Sequence, residues 1–153
     1  MVNRAGISDM DIVVDANITV ALFVNLPYSS QSERLFRLWR KQGAQLYAPA
    51  LWPAEVASAL RKMVSVGQMS SDDARLGLSA LEQFPIQVIL PDSGLLDLSL
   101  IWADRLNQTV AYDAQYVALA EKLSAQFWTA DRRLINSLQH LNVSWANWVG
   151  DVN

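Results

Sequence analysis

Four acidic residues, Asp15, Glu55, Asp113 and Asp131, stand where carboxylates could act together on one substrate. Each falls at the start of a helical pattern, and in an open α/β sheet such positions converge beyond the carboxyl ends of the strands. Clustered carboxylates repel one another and cannot all ionise at neutral pH without a counter-charge. Hard oxygen ligands of this kind select Mg2+ or Mn2+ rather than zinc. Beside a phosphodiester, such ions polarise the scissile group, activate a water and stabilise the leaving oxygen. Taken singly, each aspartate has a plainer explanation. Aspartate is a favoured N-cap worth about 1 kcal/mol, and acids are favourable near any helix N-terminus. Glu55 resists that explanation more, because it borders the apolar stripe Val56/Leu60/Met63, and a glutamate beside a core is rarely buried without a partner.

The elements that must position these acids alternate between two periods. Residues 11–14 (DIVV) read as a short strand ending at Asp15, followed by an apolar helix turn that stops before Pro27. Ser30-x-x-Glu33 has the spacing of a capping box and opens a helix over 31–42, with Leu35, Leu38 and Trp39 on one side and Arg34, Arg37 and Lys41 on the other. Gly43 ends it. Residues 45–48 form a second strand. The next helix carries Val56, Leu60, Met63 and Val64 at i, i+4, i+7, i+8, one buried stripe closed by Gly67. Ser70 opens a helix over 71–84, residues 86–90 form a third strand, and Asp92 or Ser93 caps a helix reaching Asn107. Asp113 then opens AQYVALAEKL, QFWT is a strand, Asp131 opens DRRLINSLQ, and residues 143–145 supply a last strand. Strands alternating with helices imply βαβ units. The predicted fold class is therefore α/β: one domain, a three-layer sandwich with a mostly parallel central sheet flanked by helices. Residues 1–10 show no period and are expected to be a tail, with the domain over 11–150 and Met10 as an alternative start.

Four segments, VVDANITVALFV, YAPALWPAEVASALRK, AYDAQYVALAEKL and FWTADRRL, resemble the four acidic motifs of the PIN-domain nucleases, in order and at the family's usual separations. The chain is most similar to the single-domain VapC-like toxins of bacterial toxin–antitoxin pairs, and the resemblance covers nearly everything from Met10. It implies a Mg2+- or Mn2+-dependent endoribonuclease acting on single-stranded or structured RNA, with an antitoxin as partner. It carries over Asp15, Glu55, Asp113 and Asp131 as the acidic, metal-binding site, Asn17 where many members have Ser or Thr, and Thr129 as a supporting hydroxyl. On this basis Asp15, Asp113 and Asp131 hold the metal, while Glu55 ligates it or orients the attacking water.

Composition bounds the alternatives. A chain of 153 residues, 52% hydrophobic and 18% charged, fits one domain with a real core. Without cysteine there is no disulfide framework and no thiolate metal site. No leader-like segment and no run of about 20 apolar residues is present, which favours a cytoplasmic protein without a membrane partner. Net charge is −3, but with the four acids set aside the remaining 11 acids face 12 bases, leaving room for a small RNA footprint rather than a duplex-binding face. Arg34, Arg37, Arg40 and Lys41 read as a solvated face. Arg132 and Arg133 adjoin the site, Tyr116 belongs in the core, and Tyr112 is placed to stack a base. Trp145 and Trp148 are expected as core or interface anchors. Apolar faces around Leu38/Trp39 and Leu60/Met63 are expected to be plain core by default, and if exposed would suit a homodimer or a partner's helix. Rival readings are a Mg2+-dependent phosphohydrolase, a phosphoreceiver, or a non-catalytic partner-binding module with the same fold. Asp15-Ala-Asn17 lacks the second acid that both rival enzymes want, and Lys41, Lys62 and Lys122 do not end a late strand.

Overall fold

The sheet is built outward from a central strand whose second half is apolar. In the computed structural model, which describes residues 8–153, β1 (Ser8–Val14) lies at the centre of five strands. Its side chains alternate between the two faces, as the pleat requires. Val13 joins one core cluster, with Trp52, Val56, Leu60, Tyr116 and Phe127. Ile12 and Val14 join the other, with Ile18, Leu35, Trp39 and Leu46. A strand buried on both faces needs helices on both sides, and that produces the three layers.

Around β1 stand β2 (Gln45–Pro49), β3 (Ile86–Ile89), β4 (Ala125–Thr129) and β5 (Ala146–Trp148), in the order β3-β2-β1-β4-β5. All four pairings are parallel. The helices are α1 (Ala16–Val20), α2 (Ser29–Gln42), α3 (Trp52–Ser65), α4 (Ser71–Leu81), α5 (Ser93–Arg105), α6 (Tyr112–Leu123) and α7 (Arg132–His140). The chain steps from β1 out to β2 and β3, then returns to the opposite side of β1 as β4. The order of strands therefore reverses between β1 and β4. Open sheets place ligand crevices beyond the strand ends at such a reversal.

Several boundaries differ from the sequence reading. β1 starts at Ser8, so residues 8–10 belong to the strand; a register shift between Ser8 and Ile12 hides its pairing with β4 from a period-two pattern. Residues 1–7 of the expected tail lie outside the described residues. The capping box at Ser30 and Glu33 does not form. Instead α2 begins at Ser29, whose hydroxyl accepts from the Leu26 N–H at 2.8 Å and donates to the Val24 carbonyl at 2.9 Å, tying the incoming loop to the helix. Leu38 is exposed while Leu35 and Trp39 are buried, so the apolar side of α2 is narrower than predicted. Trp39 and Leu60 are core residues, the default expected for these faces. The last strand is 146–148, not 143–145: Val143 instead packs into the core from the turn before it. Gly43 and Gly67 do follow α2 and α3, both in the left-handed region that glycine enters without a Cβ penalty. The basic side chains of α2 are solvent-exposed and Tyr116 is fully buried, as expected. No described helix is long and apolar enough to cross a membrane.

Candidate active site

Asp15 ends β1, and its backbone N–H continues the pairing to Trp128 of β4 at 3.0 Å. The side chain is thereby fixed at the strand reversal, only 6% exposed. Thr129, the last residue of β4, donates its hydroxyl to Asp15 Oδ2 at 2.7 Å. Asn17 in the first turn of α1 donates to the same oxygen at 3.3 Å and to Thr129 Oγ1 at 3.1 Å, while its own Oδ1 accepts from the Ala130 N–H at 3.0 Å. Thr129 Oγ1 also accepts from the Asp131 N–H at 3.0 Å. One hydroxyl and one amide thus stitch the end of β1 to the end of β4.

The other acids arrive from both sides. Glu55 lies in the first turn of α3, Asp113 in the first turn of α6, and Asp131 is the N-cap of α7. All four line one open cleft of about 380 Å³, together with Asn17, Tyr28 and Lys62. The spacing in sequence therefore becomes proximity in space. The capping explanation holds for only one of them. Asp131 Oδ1 accepts from the N–H groups of Arg133 (2.9 Å) and Leu134 (3.1 Å). Asp15 is the N-cap of α1 but makes no capping bond, and Asp113 follows the N-cap Ala111 rather than being one. The expectation that Asp113 would open its helix as a cap is corrected by two residues.

Electrostatics record the crowding. The Asp15 carboxyl is pushed up to about 7, first by burial and then by the charges of Glu55 and Asp113, against the lowering effect of the Thr129 hydroxyl. Glu55 is raised by burial and by Asp113, with Tyr116 opposing. Asp113 is raised by burial and by Asp131, with Gln108 opposing through an amide bond of 3.2 Å to Oδ2. Glu55 Oε1 and Tyr116 Oη are both buried without completing a hydrogen bond. Removing such groups from water uncompensated is costly, so the cleft is short of positive charge and of donors. An all-oxygen donor set in that state suits a hard divalent cation. As the side chains stand, no three acids among the described residues are close enough to grip one ion. Glu55 and Asp113 are only partly buried.

Sequence reasoning missed Tyr28, Lys62 and Gln108. Tyr28 donates its phenol to the Asn17 carbonyl at 3.4 Å. Lys62 comes two turns after Glu55 on α3 and is the one cation lining the cleft among the described residues. A helix places residues seven apart on one face, so the Glu55–Lys62 spacing carried that signal. Gln108 sits in the α5–α6 connection and had no periodic signal at all. Arg132 and Arg133 are exposed, with the Arg132 guanidinium 4.4 Å from the centre of the Trp148 ring, and line no part of the acidic cleft.

A family model described as PIN domain matches residues 13–145. The chain is 35% identical over 128 residues to the VapC ribonuclease Mb0985 of Mycobacterium bovis, covering 84% of this chain and 91% of that protein. It is 36% identical over 126 residues to ribonuclease VapC3 of Pyrobaculum aerophilum, covering 82% and 92%. The crystal structure of VapBC2 from Rickettsia felis, bound to a DNA fragment from its promoter, shares the fold with a TM-score of 0.66 at 12% identity, over 90% of this chain and 98% of that one. Matches of this length and identity mean that the chain belongs to the PIN-domain family, in the company of the VapC ribonucleases.

Proposed function

We propose that the protein is a divalent-metal-dependent endoribonuclease that cuts single-stranded RNA, and that it is the toxin of a cytoplasmic toxin–antitoxin pair. The observation that carries this reading is the gathering of Asp15, Glu55, Asp113 and Asp131 on one cleft, three of them with raised pKa values. Asp15, Asp113 and the free oxygen of Asp131 hold Mg2+ or Mn2+, with Glu55 beside them. The bound cation supplies the charge that offsets the carboxylates and polarises the phosphodiester. The chain's own residues do the rest. Thr129 and Asn17 hold Asp15 in one orientation. Glu55, which lines the cleft, takes the proton of the attacking water. Lys62 meets the phosphate backbone at the cleft wall. An antitoxin partner is supported by the VapBC structure that shares the fold.

The test is digestion of mixed single-stranded RNAs with Mg2+ or Mn2+, alongside EDTA and Asp15→Asn controls. Cleavage confined to the metal-loaded wild type is expected. Cleavage that survives EDTA, or equal activity in the variant, refutes the reading. Incubation with acetyl phosphate and a generic phosphatase substrate addresses the rival enzymes, and turnover of either would favour them.

A further inference from the structure

The acidic cleft does not end at the acids. Glu55 and Asp113 also line a second hollow, walled by Asn107, Gln108, Thr109, Val110 and Tyr112. Glu55 and Tyr112 border a third, shallower one against Ser58 of α3. Glu55 is a wall of all three hollows and Asp113 of the first two, which makes those two neighbouring arms around the same acids. The two arms differ in charge. Lys62 stands in the arm with Asp15 and Asp131, whereas the arm toward Tyr112 has no cation on its walls among the described residues. A phosphate entering the arm without a cation would face the Glu55 and Asp113 carboxylates with nothing to offset them. A neutral, planar group pays no such cost.

The walls of that arm suit such a group. Tyr112 directly precedes Asp113 and is 60% exposed, and its ring makes no aromatic or cation–π contact among the described residues. A large exposed ring with a free face, beside an otherwise buried centre, is the shape of a stacking platform. The side chains of Asn107 and Thr109 make no hydrogen bond among the described residues, so their amide and hydroxyl are available to a base edge. Gln108 gives its amide N–H to Asp113, which leaves its Oε1 a buried acceptor that the chain supplies with no donor. Stacking on an aromatic side chain and hydrogen bonding to base edges is how unpaired nucleotides are read.

We propose that the arm walled by Asn107, Thr109, Val110 and Tyr112 is a nucleobase pocket that receives an unpaired base flanking the scissile phosphate, stacked on Tyr112. This rests on the ribonuclease reading and adds what that reading leaves open: the strand is engaged through a base on one side and a phosphate on the Lys62 side.

Binding and cleavage are measured separately, so that the two ideas fail separately. Fluorescence anisotropy follows a labelled single-stranded RNA on the cleavage-disabled Asp15→Asn protein in Mg2+, with Tyr112 intact or changed to Ala or Phe. The same RNA is repeated with an abasic site at each position in turn. Tyr112→Ala is expected to weaken binding roughly tenfold, with Phe restoring most of it. An abasic site at one position is expected to cost the Tyr112 protein about as much, and to cost Tyr112→Ala nothing further. Equal binding by all three proteins, or abasic effects that add fully to Tyr112→Ala, would overturn the pocket. Thermal unfolding of each variant confirms that an exposed side chain was changed without loss of fold. Base-dependent binding without cleavage by wild type would uphold the pocket and sink the nuclease. Cleavage by wild type with identical sites and rates in Tyr112→Ala would do the reverse.

Discussion

Replacing Asp15 by Asn should make the metal-free protein more stable at pH 8 while abolishing its activity. The Asp15 carboxyl ionises at about 7 in the fold against 3.8 when free. Between those values the folded state holds a proton that the unfolded chain releases. Stability therefore falls as pH rises through the window from about 4 to about 7. At about 1.4 kcal/mol per pH unit, the full penalty above pH 7 is roughly 4 kcal/mol, an upper bound because water reaches the open cleft. Asparagine keeps the shape: its Oδ1 can still accept from Thr129 and Asn17, and only the charge is lost. If half the penalty is relieved, about 2 kcal/mol, Tm should rise by roughly 4–8 °C for a chain of this size. The assay is thermal unfolding in EDTA from about pH 4 to 8.5. Wild type and variant are expected to melt together near pH 4, to separate progressively toward pH 7 and to keep a constant gap above it. A variant less stable than wild type at pH 8, or a gap independent of pH, would refute the claim that this carboxylate is buried against its neighbours.

Magnesium should raise the Tm of wild type more at pH 8 than at pH 6, because ligation needs the acids deprotonated; a pH-independent increment would count against a carboxylate site. Thr129→Val should cost about 1–3 kcal/mol in urea unfolding and most of the cleavage rate, because one hydroxyl serves Asp15, Asn17 and the Asp131 N–H. Thr129→Ser should restore both, and failure to do so would show that the methyl group, not the hydroxyl, matters. Asp131→Asn should keep the α7 cap and lose cleavage, whereas Asp131→Ala should lose about 1 kcal/mol of stability as well. Activity remaining in Asp131→Asn would reduce that residue to a cap.

Long periodic segments were legible because their burial pattern is carried by residues a few positions apart. The α3 stripe of Val56 and Leu60 is buried as its spacing dictates. So is the run Tyr116 to Ala120 in α6, which is apolar on every side because it lies between the sheet and α5. What failed was decided by distant partners. Ser8 enters β1 because Ala125 offers it a pairing site across the fold, and β5 sits three residues late because its register is set by Phe127 and Thr129 of β4. The Ser30 cap lost to Ser29, whose hydroxyl found backbone partners at Leu26 and Val24 that no capping rule counts. The site followed the same division. Its acids announced themselves by position, but the Asn17–Thr129 bridge came only through family resemblance, and Gln108 gave no sign.

The placement of the acids follows from the topology. Asp15, Glu55 and Asp131 belong to the N-terminal ends of α1, α3 and α7, which directly follow β1, β2 and β4, and a parallel sheet turns the N-termini of such helices toward one edge; Asp113 belongs to the N-terminal end of α6, which follows α5 and leads into β4. Each helix end carries roughly half a positive charge, and a carboxylate there gains about 0.3–1 kcal/mol. Four such ends soften the repulsion that burial sharpens, yet Asp15 still titrates near neutrality. Among the described residues the cleft sets one cation, Lys62, against the four acids. Of the three aspartates only Asp131 spends an oxygen on capping, and a carboxylate committed to backbone N–H groups is no longer free to hold a cation.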